Sequence, residues 1–369
     1  MPDQEHTRKE EFMNKWTIQG SVAFCALVMF LALSPSAGLR VSWAAEEIAV
    51  CGWGGATQDA QRKAFFIPFE KETGIKVVDV TPPSVAKVKA MVQSGNVEWD
   101  IVNQGMDAIL PLLKENLLEK IDYQLIDKKF QAQMDKINFH PYAVGSHYWS
   151  AVIVYNTKVF AKNPPKSWKD VWDVKNFPGP RMLKGCGSGI NPHLEAALFA
   201  DGVAADKIYP IDIERAFKSY DRIKAHVVKW WTSGAVPPQM LVDNEAVVGD
   251  SFNTRVEVIK KAGAPVAIEW NQGVYSLDYW FIPRGSKKMK NALKFIEFTL
   301  RPDRQAEFVT MVPVGASNPE TYKLIPPERA RDLPSYPENI KRMVRWDFNW
   351  WAENRDKVIE KWNTWMLQK

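Results

Sequence analysis

Short apolar runs alternate with longer amphipathic segments along the first part of the chain. The runs have the length of buried strands, and the segments between them repeat apolar residues every three or four positions. Gly74 and Gly95 close two of the predicted helices, as glycine often does, and Pro68 is expected to kink the first of them. This order is typical of a parallel α/β sheet, with strands over 47–53, 75–80 and 100–103 and helices over 57–73, 86–94 and 107–114.

The same alternation resumes after Trp149. Ser167, followed three residues later by Asp170, resembles a capping box at the start of a helix. The sequence contains no internal repeat. Because no long polar linker separates this part from the first, we expect short strand crossovers to join two α/β units. The predicted strands cover 151–156, 181–184, 246–252, 265–270 and 275–283, and the predicted helices cover 192–200, 213–224, a segment ending at Gly263, 287–300 and 347–367.

An uninterrupted apolar run covers residues 22–33. It is too short to span a bilayer, which needs about 20 residues, but it suits the hydrophobic region of an export signal. The small residues that follow place cleavage after Ala44 or, as the second choice, after Gly38. Met13 gives a more ordinary start than the acidic segment before it. We therefore interpret residues 1–44 as a signal peptide and expect the protein in the periplasm.

Length, charge and cysteine content narrow the function classes. The chain has 369 residues, which is room for about two domains. Its formal net charge of +5 is spread along the sequence without a Lys/Arg block, so it gives little support for nucleic-acid binding. Cys51 and Cys186 remain after cleavage. They either form a disulfide, as an exported pair can, or stay as two separate thiols.

Patterns of catalytic or metal-binding residues are weak. The four histidines of the mature chain lack the spacing of metal ligands, and no G-x-S-x-G nucleophile elbow is present. The glycine-rich loop over 185–189 either holds an anion ahead of the next helix or forms a simple turn. Cys186 and His193 leave open a secreted Cys-dependent hydrolase. We expect no enzyme, no cofactor and no bound metal.

Aromatic residues are abundant, and the chain contains 16 Trp. Trp53, Trp149, Trp270 and Trp280 stand at predicted strand ends or loops, where α/β proteins bind ligands. Aromatic faces attract cations at about 0.5–2 kcal/mol each, but core packing is the alternative for most of these residues. Asp278 interrupts an apolar segment, and a carboxylate there needs a partner or a ligand. From the residues alone, both alternatives stay open.

Six stretches, in this order and spacing, resemble the extracytoplasmic receptors of spermidine/putrescine ABC importers. The resemblance covers nearly the whole mature length. None of the stretches is a catalytic motif. They are 69–77 (FEKETGIKV), 98–102 (EWDIV), 167–173 (SWKDVWD), 263–273 (GAPVAIEWNQG), 277–283 (LDYWFIP) and 300–308 (LRPDRQAEF).

This resemblance implies a two-lobed, type II periplasmic-binding-protein fold. Each lobe would be a mainly parallel sheet flanked by helices, with crossover strands between the lobes and the ligand held in the cleft. The partners implied are a small amine-bearing solute and the permease subunits of an ABC importer in the inner membrane, with a monomeric receptor. We expect residues 45–152 and 277–318 to form the first lobe, and residues 153–276 and 319–369 to form the second.

Carried over by position, the resemblance assigns ligand contacts to both lobes. Trp53 would contact the methylenes of the ligand, and Asp278 matches an aspartate that binds a terminal amine. Phe252 stands where family members usually have a stacking Trp. The other predicted ligand-binding residues are Gly54, Gly105, Asp107, Ser188, Arg255, Tyr275 and Ser276.

Several positions depart from the family pattern. Gly105 and Asp107 stand in place of a Ser and a Tyr, and Ser276 replaces another Trp. Residues 186–191 contain no carboxylate, whereas polyamine receptors often have one there for the second amine. The sequence therefore allows a monoamine, or an amine with a neutral or acidic far end that Arg255 could face. An amino acid or a betaine is the alternative solute.

Overall fold

The structure is a computed structural model that describes residues 46–187 and 191–368. The predicted signal peptide and Ser188 lie outside the described residues. No helix in the described ranges is both long enough and apolar enough to cross a membrane.

The strands contribute to one sheet. Their bounds are β1 Glu47–Cys51, β2 Lys76–Val80, β3 Ile101–Gly105, β4 Phe139–His140, β5 Ala143–Asn156, β6 Arg181–Lys184, β7 Val227–Trp231, β8 Val248–Phe252, β9 Val266–Phe281, β10 Gly315–Ala316 and β11 Val344–Arg345.

Helices surround this sheet. Their bounds are α1 Gly55–Gln61, α2 Ile67–Thr73, α3 Val85–Ser94, α4 Met106–Lys114, α5 Lys128–Gln133, α6 Trp168–Trp172, α7 Leu194–Ala200, α8 Ile213–Ile223, α9 Val236–Val242, α10 Asn253–Lys261, α11 Met289–Thr299, α12 Pro302–Met311, α13 Pro327–Arg331, α14 Pro337–Ile340 and α15 Phe348–Leu367.

The strand order is β2-β1-β3-β9-β5-β8-β6-β7. Strands β1, β2 and β3 are parallel, and so are β6, β7 and β8. Between these groups lie β5 and β9, which pair antiparallel with each other and with their outer neighbours. We call β2, β1, β3 and the adjoining part of β9 the first half of the sheet, and β8, β6, β7 and the adjoining part of β5 the second half.

The two central strands are much longer than the sequence pattern predicts. Strand β5 has 14 residues and β9 has 16, whereas the apolar pattern predicts separate strands over 265–270 and 275–283. The polar segment between these two runs predicts a break in the strand. The backbone continues through it because Gln272 adopts a left-handed conformation with φ 61° and the β5/β9 register shifts near Ala151.

The first predicted helix is also interrupted. A π-helical turn, Arg62–Phe66, separates α1 from α2, and Pro68 is the second residue of α2. Proline lacks the amide hydrogen that an uninterrupted α-helix would use there, and π turns are a common way to accommodate such a break. Gly74 closes α2 in the left-handed conformation expected of it, with φ 76°.

Each half of the sheet has an apolar cluster on both faces, as expected for strands covered by helices on both sides. In the first half, Val50 and Trp280 lie in one cluster, and Cys51 and Tyr279 lie in the cluster on the other face. The second half has two corresponding clusters. Because both faces are covered, the strand ends are the part of the sheet where a ligand could bind.

The C-terminal segment contacts both halves. Ile325 and Leu333 lie in a cluster of the first half, whereas Trp351, Trp362 and Trp365 lie in a cluster of the second half. Asp347 caps the start of helix α15, because its side chain accepts a hydrogen bond from the Trp350 amide. The predicted division into lobes, with all of 319–369 in the second, stays a prediction.

Candidate functional site

The carboxyl ends of parallel strands from both halves meet where β5 and β9 cross the sheet. Gly105, the last residue of β3, lies opposite Asp278 of β9, and Asp278 lies opposite His147 of β5. Further along β5, Ala151 lies opposite Phe252, the last residue of β8. Ligands of open α/β sheets bind at such strand ends, and this edge is the candidate site.

Asp278 is the centre of the first-half side of this edge. Its carboxylate is 6% exposed and accepts hydrogen bonds from the indole Nε1 of Trp53 at 2.7 Å and of Trp149 at 3.1 Å. The Nε2 atom of His147 lies 3.8 Å away. Two N–H donors make a buried carboxylate tolerable, and neither donor neutralises its charge. Among the described residues, this carboxylate therefore has two indole donors but no Lys or Arg in an ion pair with it.

Trp53 combines a fixed edge with an open face. Its ring is 52% exposed, although Asp278 holds its N–H. Gly54 makes this turn possible, because it has φ 76° and a Cβ there would lie 2.8 Å from Oγ1 of Thr81. The Gly54 amide donates to Oε1 of Gln58 at 2.6 Å. The chain thus presents an indole face to solvent beside a buried carboxylate.

Asp107 adds a second carboxylate. It lies in the first turn of α4, and the missing side chain of Gly105 gives it room: a Cβ there would be 2.5 Å from Oδ1 of Asp107 and 3.7 Å from Oδ1 of Asp278. Asp107 is exposed by its surface area, yet desolvation by the surrounding atoms and then repulsion by Asp278 raise its pKa. Lys184 and the local amides oppose this shift.

We expect amine binding to weaken as the pH falls. Because its pKa is raised, Asp107 becomes protonated at a higher pH than an ordinary aspartate and then no longer attracts an ammonium group. His147 titrates below the usual histidine range because burial lowers its pKa. Calorimetry at pH values lowered from 7 toward the usual aspartate pKa of about 4 should show this loss of affinity together with proton release on binding. The Asp107→Asn variant should lose most of the pH dependence, and an unchanged slope would contradict the assignment.

Aromatic rings line the edge between the two halves. The ring of Phe252 meets Trp149 at a centroid distance of 5.5 Å and Trp231 at 5.6 Å, both edge to face. Trp149 also contacts Trp346 at 6.1 Å. The wall therefore runs from the Asp278 hydrogen bond to the end of β8 and suits an apolar chain between two polar ends.

Lys184 is the residue that sequence reasoning missed. It ends β6, and its Nζ lies 5.3 Å from the Phe252 ring centroid and 6.0 Å from that of Trp346. Burial lowers its pKa, while Asp250, Glu195 and Asp107 favour the charged form. The sequence signal for it is a lysine at the carboxyl end of the predicted strand 181–184.

The remaining predicted residues differ in their placement. Arg255 lies in the first turn of α10 and is exposed. Ser276 is buried on the same face of β9 as Asp278, and within the described ranges its hydroxyl has no hydrogen-bond partner. Tyr275 points to the opposite face, because side chains alternate along a strand, and its ring lies 6.0 Å from that of Tyr148.

The cysteine alternatives are also clarified. Cys51 and Cys186 are free thiols, and burial raises the pKa of Cys51 to about 12 and that of Cys186 above its usual value. His193 instead pairs with Asp250, its Nδ1 lying 2.8 Å from the carboxylate. The geometry thus gives no support to a thiolate nucleophile with His193 as its base.

Comparisons with known proteins point in one direction. A family profile described as bacterial extracellular solute-binding protein matches residues 64–335. A gamma-aminobutyric acid-binding protein of Pseudomonas aeruginosa is 34% identical over 326 residues, covering 87% of this chain and 91% of that protein. A spermidine/putrescine-binding periplasmic protein of Escherichia coli is 26% identical over 278 residues, covering 73% and 78%. A solved ABC transporter substrate-binding protein from Bradyrhizobium japonicum has a TM-score of 0.80 and 36% identity, covering 87% of this chain and 99% of that one.

Proposed function

Because this chain belongs to the family of bacterial extracellular solute-binding proteins, we propose that it is the substrate-binding component of an ABC importer for a short ω-amino acid such as gamma-aminobutyric acid. The observation that carries this proposal is the pair of carboxylates, Asp107 and Asp278, beside the open face of Trp53. An ammonium group has three donors, and this corner offers it acceptors and an aromatic face together.

The far end of the ligand would meet the second half of the sheet. Arg255 follows Phe252 by three residues and is exposed. Within residues 46–187 and 191–368, its side chain forms no ion pair and no hydrogen bond. A guanidinium binds a carboxylate through two parallel hydrogen bonds. The aromatic wall between Asp278 and Phe252 would contact the methylenes. This arrangement supports a ligand with an amine at one end and a carboxylate at the other.

The relatives support the same solute class. The curated relative at 34% identity is named for gamma-aminobutyric acid, whereas the relative named for spermidine and putrescine is 26% identical. Residues 186–191 carry no carboxylate for a second amine. We therefore favour the ω-amino acid over a polyamine, in an exported, periplasmic receptor that delivers its solute to a permease.

A calorimetric panel tests this proposal by removing one end of the ligand at a time. Gamma-aminobutyric acid should bind most tightly, while butylamine lacks the carboxylate and butyrate lacks the amine. Each truncated ligand leaves a charged protein group without its partner, which costs about 1.5–3 kcal/mol, so both should bind at least tenfold more weakly. Spermidine and glycine betaine complete the panel.

The same panel contains the contradicting outcome. If spermidine binds most tightly, the solute is a polyamine and not an ω-amino acid. If butylamine binds as tightly as gamma-aminobutyric acid, the carboxylate of the ligand contributes nothing to binding. A ligand at a hundredfold excess over its Kd should stabilise the protein by about 2.7 kcal/mol, which thermal unfolding measures independently.

A further inference from the structure

We propose that Lys184 is a specificity-determining residue that makes the site reject diamines such as putrescine by repelling their second ammonium group. The inference rests on the proposed function, because it assumes that one ammonium of the ligand binds at Asp278. It adds a repulsive element to the attractive contacts already described. Discrimination between related ligands commonly uses both.

The position of Lys184 is the first argument. Its Nζ sits 5.3 Å from the ring centroid of Phe252, whose edge contacts Trp149, and Trp149 donates its N–H to Asp278. One wall of side chains therefore connects the amine-binding carboxylate to the lysine. A solute whose first ammonium lies at Asp278 and whose chain follows this wall directs its other end toward Lys184.

The missing counter-ion is the second argument. In the described part of the chain, the Lys184 ammonium faces aromatic rings, forms no ion pair within 4.0 Å and donates no side-chain hydrogen bond. Of the acidic residues that act on this ammonium, Asp250 and Glu195 have other hydrogen-bond partners. Asp250 accepts from Trp231 at 2.9 Å and contacts His193, and Glu195 accepts from Trp351 at 2.8 Å.

Burial lowers the pKa of the Lys184 ammonium, and its carboxylate neighbours oppose that shift. The carboxylates of Asp250, Glu195 and Asp107 favour its protonated form, and two aromatic rings face it. A second ammonium brought beside it would meet a like charge in a partly desolvated place, where such repulsion is strong. A ligand carboxylate at the same place would be attracted instead.

The test measures putrescine and gamma-aminobutyric acid binding to wild type, Lys184→Met and Lys229→Met by calorimetry. Lys229 lies on the neighbouring strand β7 and is exposed, so its variant loses the same charge away from the site. We expect Lys184→Met to bind putrescine at least tenfold more tightly than wild type and gamma-aminobutyric acid more weakly. Lys229→Met should match wild type for both.

Lys184→Arg keeps the charge and should still reject putrescine. If Lys184→Met does not fold, Lys184→Gln serves as the neutral variant instead. Unchanged putrescine affinity in a folded, neutral variant overturns the role of Lys184. Failure of the wild type to bind gamma-aminobutyric acid overturns the proposed solute instead, and a gain for putrescine would then still support the repulsion.

Discussion

Replacement of Asp278 by asparagine is expected to weaken binding of an amine ligand by about 2–5 kcal/mol, roughly thirtyfold or more in Kd. The substitution keeps the shape of the side chain but leaves the ligand ammonium facing a neutral amide. Because the carboxylate is only 6% exposed, water cannot replace the lost ion pair fully. Calorimetry on the folded variant measures the effect.

Asp278 also anchors two indoles, and this role must be separated from ligand binding. Asparagine offers one acceptor where Trp53 and Trp149 now use two oxygens, so some loss of stability is expected as well, about 1 kcal/mol for a lost hydrogen bond. Asp206→Asn, in an exposed turn, removes the same charge elsewhere and serves as the control. A lower melting temperature with unchanged affinity would reduce Asp278 to an anchoring residue.

Trp53→Ala provides a graded comparison for the same experiment. It removes the open aromatic face but leaves the carboxylate, so the expected loss is smaller, about 1 kcal/mol or slightly more. A half-exposed ring contributes little to the core, and the melting temperature should change less than in a core variant. An effect as large as that of Asp278→Asn would indicate that the indole also holds the carboxylate in position.

Gly249→Ala is expected to destabilise the protein by about 3 kcal/mol. A Cβ at this position would lie 1.8 Å from the carbonyl oxygen of Met182 on the neighbouring strand β6. The obstacle is backbone inside a sheet, which cannot move aside as a flexible side chain can. Strands β6 and β8 must therefore separate locally. Urea unfolding of the variant and the wild type measures the difference.

Gly74→Ala is the matched control for this substitution. Gly74 has φ 76°, and nothing lies within 4 Å of a Cβ there. Alanine at Gly74 therefore pays only the cost of the left-handed conformation, about 1–2 kcal/mol. If Gly249→Ala lowers the free energy of unfolding by no more than Gly74→Ala does, strands β6 and β8 can accommodate a Cβ at position 249 and the prediction is wrong. The Gly249 variant should also bind ligand more weakly, since Asp250 and Phe252 follow directly on β8.

The fold class and the family resemblance predicted from the sequence are confirmed by the solved structure at 36% identity and by the family profile. The alternation of short apolar runs and amphipathic segments predicts the α/β class, because buried parallel strands and their covering helices have different periods. The two-lobed, type II architecture was implied by the resemblance of the six sequence stretches. The continuity of β5 and β9 was not predictable, because a polar turn-like segment and a bulged strand have similar local sequences.

The candidate site was partly predictable. Trp53, Asp107 and Asp278 were assigned through the resemblance, and the structure brings them to one edge; their contact with a ligand stays a prediction. Lys184 was not among the predicted residues, because its proposed role depends on distances to Phe252 and Trp346, which are far away in sequence. Tyr275 was also assigned through the resemblance, but its side chain points to the strand face opposite to that of Asp278. A one-residue step along a strand reverses the direction of a side chain, so its contact with a ligand stays a prediction.

The long central strands have a consequence for how the protein loses its structure. Strands β5 and β9 pair from Val144 with Trp280 at one end to Asn156 with Val266 at the other, so the same two backbones contribute hydrogen bonds to both halves. Neither half can melt without fraying the strands of the other. Unfolding should therefore behave as one cooperative event, and a solute bound at the crossing would protect the amides of both outer regions from hydrogen exchange at once.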